Sequence, residues 1–391
     1  MSKVTFGDEP DRLARESVQR TWARLYAPGR HIDPFLLLAA LGLTAFGLLM
    51  IYSATFHQLQ ARGVDSMYFV NRQVISLGVG LVAMVGVALF DYRVYRAWAP
   101  MLYLAAVIML VVTALTGETV NASRAWIVLG GFQFQPAELA KPALILALAA
   151  LFQERRESAL GLRALLEAIG LAAVPMLLIL AQPDLGTAIV FVAITFGVLL
   201  LARVRVRYLA ALALIGVLSI IGALQLDIME DYQVARITSF LDPSADPQGS
   251  GWNVEQAQIA IGSGQLAGQG LFRGSQTALA YVPENHTDFI FTVVGEELGF
   301  LGGSLLLGLY ALLLWRALRI TGMSRDTFGT LIGAGVVAVL GFQLFINVGM
   351  SVGVMPVTGL PLPFVSYGGT SLIGSYLMLG LLQNVHMRRF Q

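Results

Sequence analysis

Residues 164–202 read ALLEAIGLAAVPMLLILAQPDLGTAIVFVAITFGVLLLA, an apolar run interrupted near its middle by Gln182, Pro183 and Asp184. About 20 apolar residues of helix cross a bilayer, so this run is long enough to cross twice. Arginines flank it on both sides: Arg155, Arg156 and Arg163 before it, and Arg203, Arg205 and Arg207 after it. Because cytoplasmic segments are enriched in Lys and Arg, both clusters belong on one face of the membrane. The run therefore crosses twice, with a tight turn at 182–184.

The composition of the whole chain is also that of a membrane protein. Its 391 residues are 57% hydrophobic and only 13% charged, and the mean hydropathy is +0.72. Soluble domains have about 25% charged residues, so a soluble globule is excluded, as are disordered, collagen-like and coiled-coil chains. Cysteine is absent, which excludes disulfides, a thiolate nucleophile and zinc–thiolate sites. The four histidines, His31, His57, His286 and His386, lack metal-ligand spacing.

The apolar pattern predicts an all-α integral membrane protein with ten transmembrane helices. The predicted spans are approximately 34–54, 70–90, 98–116, 135–152, 164–181, 185–202, 207–226, 288–315, 328–350 and 366–385. With both termini inside, most of the 25 Lys and Arg residues fall on the cytoplasmic face, as the positive-inside rule requires.

The same topology divides the chain into parts. Residues 1–33 form a polar cytoplasmic tail and residues 34–391 the membrane domain. One large extracytoplasmic loop, 227–287, joins spans seven and eight. Within this loop, residues 252–261 predict a short helix at the membrane interface, and the glycine-rich stretch 262–274 predicts a mobile loop.

Ionisable side chains inside membrane spans are costly and often functional. The apolar part of span four, 142–152, is too short to cross alone, so the crossing must include Glu138 and Lys141. At spacing i, i+3 these two side chains share a helix face. They form either a structural ion pair or a cationic site that faces a substrate. For Glu296 and Glu297, which lie in span eight, we expect a structural role as hydrogen-bond partners of neighbouring helices.

Three further charged residues lie near the ends of spans. Asp184 is either an N-cap of span six or a functional carboxylate, and Arg124 could simply extend to the membrane surface. Asp288 ends the large loop and opens span eight beside apolar residues. Burial there would raise the pKa of Asp288 towards the range useful to a general base. The alternative is a carboxylate favoured by the helix dipole.

The C-terminal part of the chain is unusual because it lacks charge. Residues 327–387 contain no Asp, Glu, Lys or Arg, yet 351–371 are rich in Pro, Gly and neutral polar residues, including Ser366, Tyr367 and Thr370. Irregular backbone at membrane depth is tolerated only where it lines a cavity or is buried in protein. This segment therefore predicts a groove for an uncharged, elongated ligand part such as a lipid or a sugar.

Five segments, in this order, resemble successive motifs of the SEDS family (shape, elongation, division and sporulation). They are FQPAELAK at 134–141, QPDLGT at 182–187, RITSFLDP at 236–243, PENHTDFIF at 283–291 and PLPFVSYGGTS at 361–371. The GLPLPF sequence at 359–364 and the spacing of 262–276 resemble the elongation branch. Gln265 departs from the family pattern, which has a glycine at that place.

The resemblance implies a peptidoglycan glycosyltransferase of the bacterial cytoplasmic membrane, with both termini cytoplasmic. Such an enzyme polymerises lipid II on the outer face and releases undecaprenyl diphosphate, for cell-wall elongation and rod shape. The implied partners are a class B penicillin-binding protein, the elongation machinery and membrane lipid, but no nucleic acid. A division-type polymerase and a lipid II flippase remain alternatives.

The resemblance also implies roles for individual residues. Asp288 matches the essential aspartate of the family, whereas Glu138, Lys141, Asp184 and Arg124 match positions that would bind the substrate or its diphosphate. The chemistry needs a base for the acceptor hydroxyl and positive charge for the leaving diphosphate. A divalent cation, Mg or Mn, at the diphosphate is a further expectation, although the sequence shows no dedicated metal cage.

Overall fold

The structure, a computed structural model, describes residues 31–120, 123–129, 132–153, 161–226, 231–242, 249–279 and 281–390. Most of the predicted tail 1–33 and parts of the predicted loop 227–287 lie outside these ranges. The helices are α1 Pro34–Ala61, α2 Tyr68–Leu89, α3 Tyr92–Thr116, α4 Pro136–Gln153, α5 Leu162–Leu180, α6 Leu185–Leu201, α7 Val206–Gln225, α8 Asp231–Leu241, α9 Ser250–Ser263, α10 Ser275–Ala278, α11 Ile290–Gly322, α12 Thr327–Ser351 and α13 Gly369–Met387. The strands are β1 Glu118–Val120, β2 Ser123–Leu129 and β3 Phe132–Phe134.

Helices α1 to α7 and α11 to α13 lie where the sequence predicts membrane spans. Within the described ranges, seven helices are long and apolar enough to cross a membrane: α1 to α5, α11 and α12. Helix α6 and residues 206–219 of α7 are apolar but shorter. The chain is therefore a multi-pass, mainly helical membrane protein, and the count of ten spans stays a prediction.

The turn at 182–184 separates α5 from α6, and the two helices pack against each other. Asp184 caps α6, because its side chain accepts a hydrogen bond from the N–H of Thr187. The apolar run 164–202 thus forms two helices that pack against each other.

Helix α4 is the centre of the bundle. It packs against α3, α5, α6, α12 and α13, and nearly its whole length is buried. Glu138 and Lys141 therefore have protein rather than lipid as neighbours. Small residues permit other close approaches, for example Gly80 of α2 against Tyr376 of α13, as is usual for helices packed within membranes.

A small sheet departs from the predicted all-α fold. Strands β1, β2 and β3 pair in that order and antiparallel, with Ile127 opposite Phe134 and Leu129 opposite Phe132. Aromatic and β-branched residues, dense in this stretch, fit a half-buried pleated surface. The sheet contacts α3, α4 and α13, so it covers one end of the bundle.

Helix α11 is broken at Gly299, where φ is 64° and ψ is −158°. The segment 264–270 fills the break with its own backbone. Four hydrogen bonds join the two: Phe300 N–H to Gln265 O (2.9 Å), Leu301 N–H to Leu266 O (3.1 Å), Gln269 N–H to Glu296 O (3.0 Å) and Gly270 N–H to Glu297 O (3.0 Å). The prediction of a mobile loop at 262–274 is therefore wrong, because this backbone replaces the hydrogen bonds that the break removes.

The side chains of Glu296 and Glu297 fix the rest of this segment. Glu296 accepts hydrogen bonds from the N–H groups of Gln276 (2.7 Å) and Thr277 (3.0 Å) and from the Thr277 hydroxyl (2.6 Å). Glu297 accepts from the Ser53 hydroxyl of α1 at 2.5 Å. These contacts agree with the structural role predicted for the two carboxylates.

Candidate active site

A cavity of about 460 Å³ opens where the sheet, the turn before α6 and the segments 284–288 and 358–371 meet. Five of the predicted site residues line it: Glu138, Asp184, Asp288, Tyr367 and Thr370. Motifs that are far apart in the sequence therefore converge on one place.

Asp288 is held by its backbone while its carboxylate faces the cavity. It lies two residues before α11 and so outside the membrane-spanning helix. Its N–H donates to the carbonyl of Glu284 at 3.0 Å, and its carbonyl accepts from the side chain of Asn347 at 2.7 Å. Burial raises the pKa of Asp288 to about 7; the charges of Glu284 and Asp184 act in the same direction, and Arg236 opposes them. The carboxyl can therefore exchange a proton near neutral pH.

Asp184 is the N-cap of α6, and its side chain also lines the cavity; its functional role stays a prediction. Its Oδ1 accepts from the N–H of Thr187 at 3.0 Å, which caps α6. Its Oδ2 accepts from the side-chain amide of Gln135 at 2.9 Å, and both residues line the cavity. The cap thus fixes a carboxylate that also faces the site.

Glu138 lines the cavity, and Lys141 lies behind it. Lys141 Nζ donates to Glu138 Oε1 at 2.6 Å, and the two side chains are 0% and 3% exposed. This is the ion pair that their spacing permits. Lys141 is not part of the lining, so the structure does not bring it to the place predicted for a diphosphate.

Two arginines that were not predicted as site residues line the cavity. They are Arg72 of α2 and Arg236 of α8, which opens the RITSFLDP motif. The guanidinium carbon of Arg72 lies 4.6 Å from the ring centroid of Tyr68. Arg236 donates to the carbonyl of Thr358 at 3.4 Å. Ser76 lies four residues on in α2, shares the helix face of Arg72 and also lines the cavity, but no signal in the sequence alone indicated this face.

Phe69, His286 and Tyr367 form an aromatic wall of the cavity. The ring centroids lie 4.7 Å apart for Phe69 and His286 and 4.9 Å apart for Phe69 and Tyr367. Burial lowers the pKa of His286, while the charge of Glu284 opposes this shift. A wall of ring faces beside a few polar groups is typical of sites for small organic ligands.

Arg124 and Ser366 do not reach the cavity wall. Arg124 is exposed on β2, whereas its neighbours Ser123 and Trp126 line the cavity. Ser366 is 4% exposed, and its hydroxyl accepts from the N–H of Leu362 at 2.9 Å. Ser366 therefore closes a turn behind Tyr367 instead of facing a ligand.

The residues and their order point to a known family. A family model described as cell cycle protein, covering FtsW, RodA and SpoVE, matches residues 34–391. The chain belongs to this family. The family predicted from the five motifs is thereby confirmed, since FtsW, RodA and SpoVE are its division, elongation and sporulation members.

Other members of the FtsW/RodA/SpoVE family are similar over nearly their whole length. Peptidoglycan glycosyltransferase MrdB of Escherichia coli (strain K12) is 39% identical over 359 residues, which cover 92% of this chain and 94% of that protein. Stage V sporulation protein E of Bacillus subtilis (strain 168) is 38% identical over 356 residues, which cover 90% and 96%.

One solved structure similar to this FtsW/RodA/SpoVE chain is described as "Structural coordination of polymerization and crosslinking by a peptidoglycan synthase complex". Its matching chain is 32% identical with a TM-score of 0.77, and the match covers 92% of this chain and 99% of that one. The helical membrane fold is thus shared along almost the entire sequence.

Proposed function

We propose that this chain is a peptidoglycan glycosyltransferase that polymerises lipid II into glycan strands and releases undecaprenyl diphosphate. The name of the Escherichia coli relative supports this class of enzyme. The observation that carries the proposal is Asp288, a carboxyl at the wall of the 460 Å³ cavity whose pKa burial raises to about 7. A base of that strength is matched to removing a hydroxyl proton near neutral pH.

In the reaction, the 4-hydroxyl oxygen of an acceptor sugar attacks the anomeric carbon of a donor sugar. The carboxylate of Asp288 takes the hydroxyl proton as the new carbon–oxygen bond forms. The bond from the anomeric carbon to the diphosphate oxygen breaks, and its electron pair leaves with the diphosphate. The leaving group needs no proton, so a single carboxylate suffices where glycosidases use a pair.

Arg72 supplies positive charge for the departing diphosphate. It lines the same cavity as Gly369, Thr370 and Ser371, which form the first turn of α13. The N-terminus of a helix attracts anions, so the diphosphate lies between Arg72 and this turn. Lys141 acts through Glu138, and its predicted direct contact with the diphosphate would require their ion pair to open.

A Mg or Mn ion on the diphosphate is a further part of the proposal. Within the described residues, no group of three or more His, Asp and Glu side chains could hold a metal ion. Such an ion would therefore take most of its oxygen ligands from the diphosphate. When bound, it would stabilise negative charge on the leaving group.

The chain spans the bacterial cytoplasmic membrane ten times, with both termini in the cytoplasm and the cavity on the outer face. Support comes from the seven long apolar helices and from the placement of arginines at 155–163 and 203–207. The cavity would then open on the side where lipid II is polymerised.

The partner is a class B penicillin-binding protein of the elongation machinery, which cross-links the product. The similar solved structure is described as a complex that coordinates polymerization and crosslinking, which supports such a pairing. The elongation branch rests on the GLPLPF sequence at 359–364. Co-expression that never recovers a complex with any class B penicillin-binding protein would count against this partner.

The test is glycan synthesis from lipid II by the purified full-length chain and its Asp288→Asn variant. Asn keeps the volume and removes the base, so polymerisation should fall by at least about a hundredfold. Asp65→Asn is the matched control, because Asp65 is exposed in the turn between α1 and α2, and it should keep the wild-type rate.

Two outcomes would contradict the proposal. If Asp288→Asn keeps more than roughly a tenth of the wild-type rate, the base lies elsewhere and Asp184 is the next candidate. If the wild-type chain moves lipid II across vesicle membranes without forming glycan chains, it is a flippase.

A further inference from the structure

Asn347 joins two parts of the active site through one side chain. It lies in α12, one turn before the helix ends at Ser351, and is 0% exposed. Its Nδ2 donates to the carbonyl of Asp288 at 2.7 Å and to the carbonyl of Leu360 at 2.8 Å.

The orientation of this amide follows from its partners. Both acceptors are carbonyl oxygens, so the atom that faces them must be the nitrogen. Oδ1 of Asn347 is then buried without a hydrogen-bond partner among the described residues. Buried polar atoms are rarely left unpaired. Because the amide keeps this orientation although its oxygen lacks a partner in the part of the chain that the structure describes, the two carbonyl contacts constrain the position of Asn347.

The two carbonyls belong to neighbouring parts of the cavity wall. Asp288 lines the cavity, and Leu360 belongs to the segment 358–361, of which Thr358, Gly359 and Pro361 also line it. A Cβ at Gly359 would lie 3.4 Å from Asp288 Oδ2, so this segment covers the carboxylate closely. Asn347 therefore sets the separation between the carboxylate and its cover.

Other contacts hold the segment without reaching Asp288. Arg236 donates to the carbonyl of Thr358 at 3.4 Å, and Gly186 of α6 packs against the same carbonyl. The Leu360 side chain is also buried and packs against Gly186. Loss of Asn347 would therefore leave the segment attached to α6 but remove the hydrogen bonds that tie its backbone to that of Asp288.

We propose that Asn347 is a positioning residue for glycosyl transfer, which holds Asp288 and the segment 358–361 at the separation that catalysis needs. This inference rests on the proposed role of Asp288 as the base. A displacement of about 1 Å can cost roughly a hundredfold in rate, and the amide acts without touching the substrate.

The inference predicts a change in pH dependence. Titratable and charged groups that face Asp288 are Glu284 and His286 from its own segment, Asp184 at the start of α6 and Arg236 of α8; α12 faces it with the neutral Asn347. When the segment 358–361 moves away, the carboxylate becomes more hydrated, and the pKa of Asp288 falls from about 7 towards its usual range.

The experiment compares Asn347→Leu with wild type in lipid II polymerisation from pH 5 to 9, with the full-length chain and its cross-linking partner. We expect kcat to fall by roughly ten- to a hundredfold with KM for lipid II little changed. The acidic limb of the pH profile should move to lower pH by up to roughly one unit. Asn347→Ser keeps one hydrogen-bond donor, so its kcat should lie between those of wild type and Asn347→Leu. It provides the measurement if Asn347→Leu does not fold.

Gln343→Leu is the matched control, because Gln343 lies one turn earlier in α12, is 1% exposed and has a buried Nε2 without a partner among the described residues. It should keep the wild-type kcat and pH profile. An unchanged kcat in the Asn347 variants, or a loss that is equal at every pH, would overturn the inference. An active Asp288→Asn variant would instead overturn the proposed base, so the two failures are distinguishable.

Discussion

Replacing Lys141 by Met separates the structural and functional parts of the Glu138–Lys141 pair. The two charges lie 2.6 Å apart with side chains 0% and 3% exposed. At an effective dielectric constant of about 20, their attraction is roughly 6 kcal/mol before desolvation is subtracted. Removing one partner of a buried pair typically costs about 3–5 kcal/mol. Glu138 also faces the cavity and can regain some hydration there, so we expect the lower figure, about 3 kcal/mol.

The double variant Glu138→Gln with Lys141→Met tests this origin of the loss. When both charges are removed together, no uncompensated charge remains buried, so stability should return to within about 1 kcal/mol of wild type. Polymerisation should not return, because the carboxylate of Glu138 has left the cavity wall. Thermal unfolding of detergent-purified protein and glycan synthesis from lipid II measure the two effects separately.

A Lys141→Met variant that unfolds at the wild-type temperature yet loses polymerisation would contradict this prediction. Lys141 would then act on the substrate and not through its ion pair. Recovery of both stability and polymerisation in the double variant would reduce the pair to a structural element.

Three further predictions concern charge and topology. Because the charge of Glu284 raises the pKa of Asp288, Glu284→Gln should keep polymerisation active to lower pH than wild type, and an unshifted acidic limb in rate measurements would contradict this. Arg72→Gln should lower kcat by about tenfold or more with little change in folding. If this variant kept the wild-type kcat, Arg72 would not be part of the diphosphate site. Since native cysteine is absent, Ser275→Cys should react with an impermeant thiol reagent in intact cells and Arg325→Cys should not; the reverse pattern would invert the proposed topology.

The carboxylates of the site were visible in the sequence because the membrane makes polar groups conspicuous. Glu138 was found because its span is too short without it, and Asp184 and Asp288 because they interrupt or open apolar runs. The arginine clusters on both sides of 164–202 placed α5 and α6 on either side of the 182–184 turn. Tyr367 and Thr370 followed from the irregular composition of their segment.

Arg72 was not visible in this way, because a single arginine near the end of a span usually extends to the membrane surface. Only the tertiary structure shows that a cavity lies beside it. The prediction of a mobile loop at 262–274 was wrong for a related reason. Glycine-rich composition is typical of mobile loops, but here glycine lets the backbone fit into a broken helix, and that partner lies elsewhere in the sequence. The small sheet likewise depends on contacts with α3, α4 and α13.

The break at Gly299 makes the membrane insertion of α11 depend on an earlier part of the chain. Without the segment 264–270, the four backbone groups that it pairs would enter lipid unsatisfied, each at a cost of several kcal/mol. The segment leaves the ribosome before α11, so its backbone is available when the helix emerges. We therefore expect insertion of α11 to be coupled to docking of the segment. A side chain at Gly268, where φ is 79° and the carbonyl of Glu297 leaves no space for a Cβ, would appear as a defect of biogenesis before any defect of catalysis.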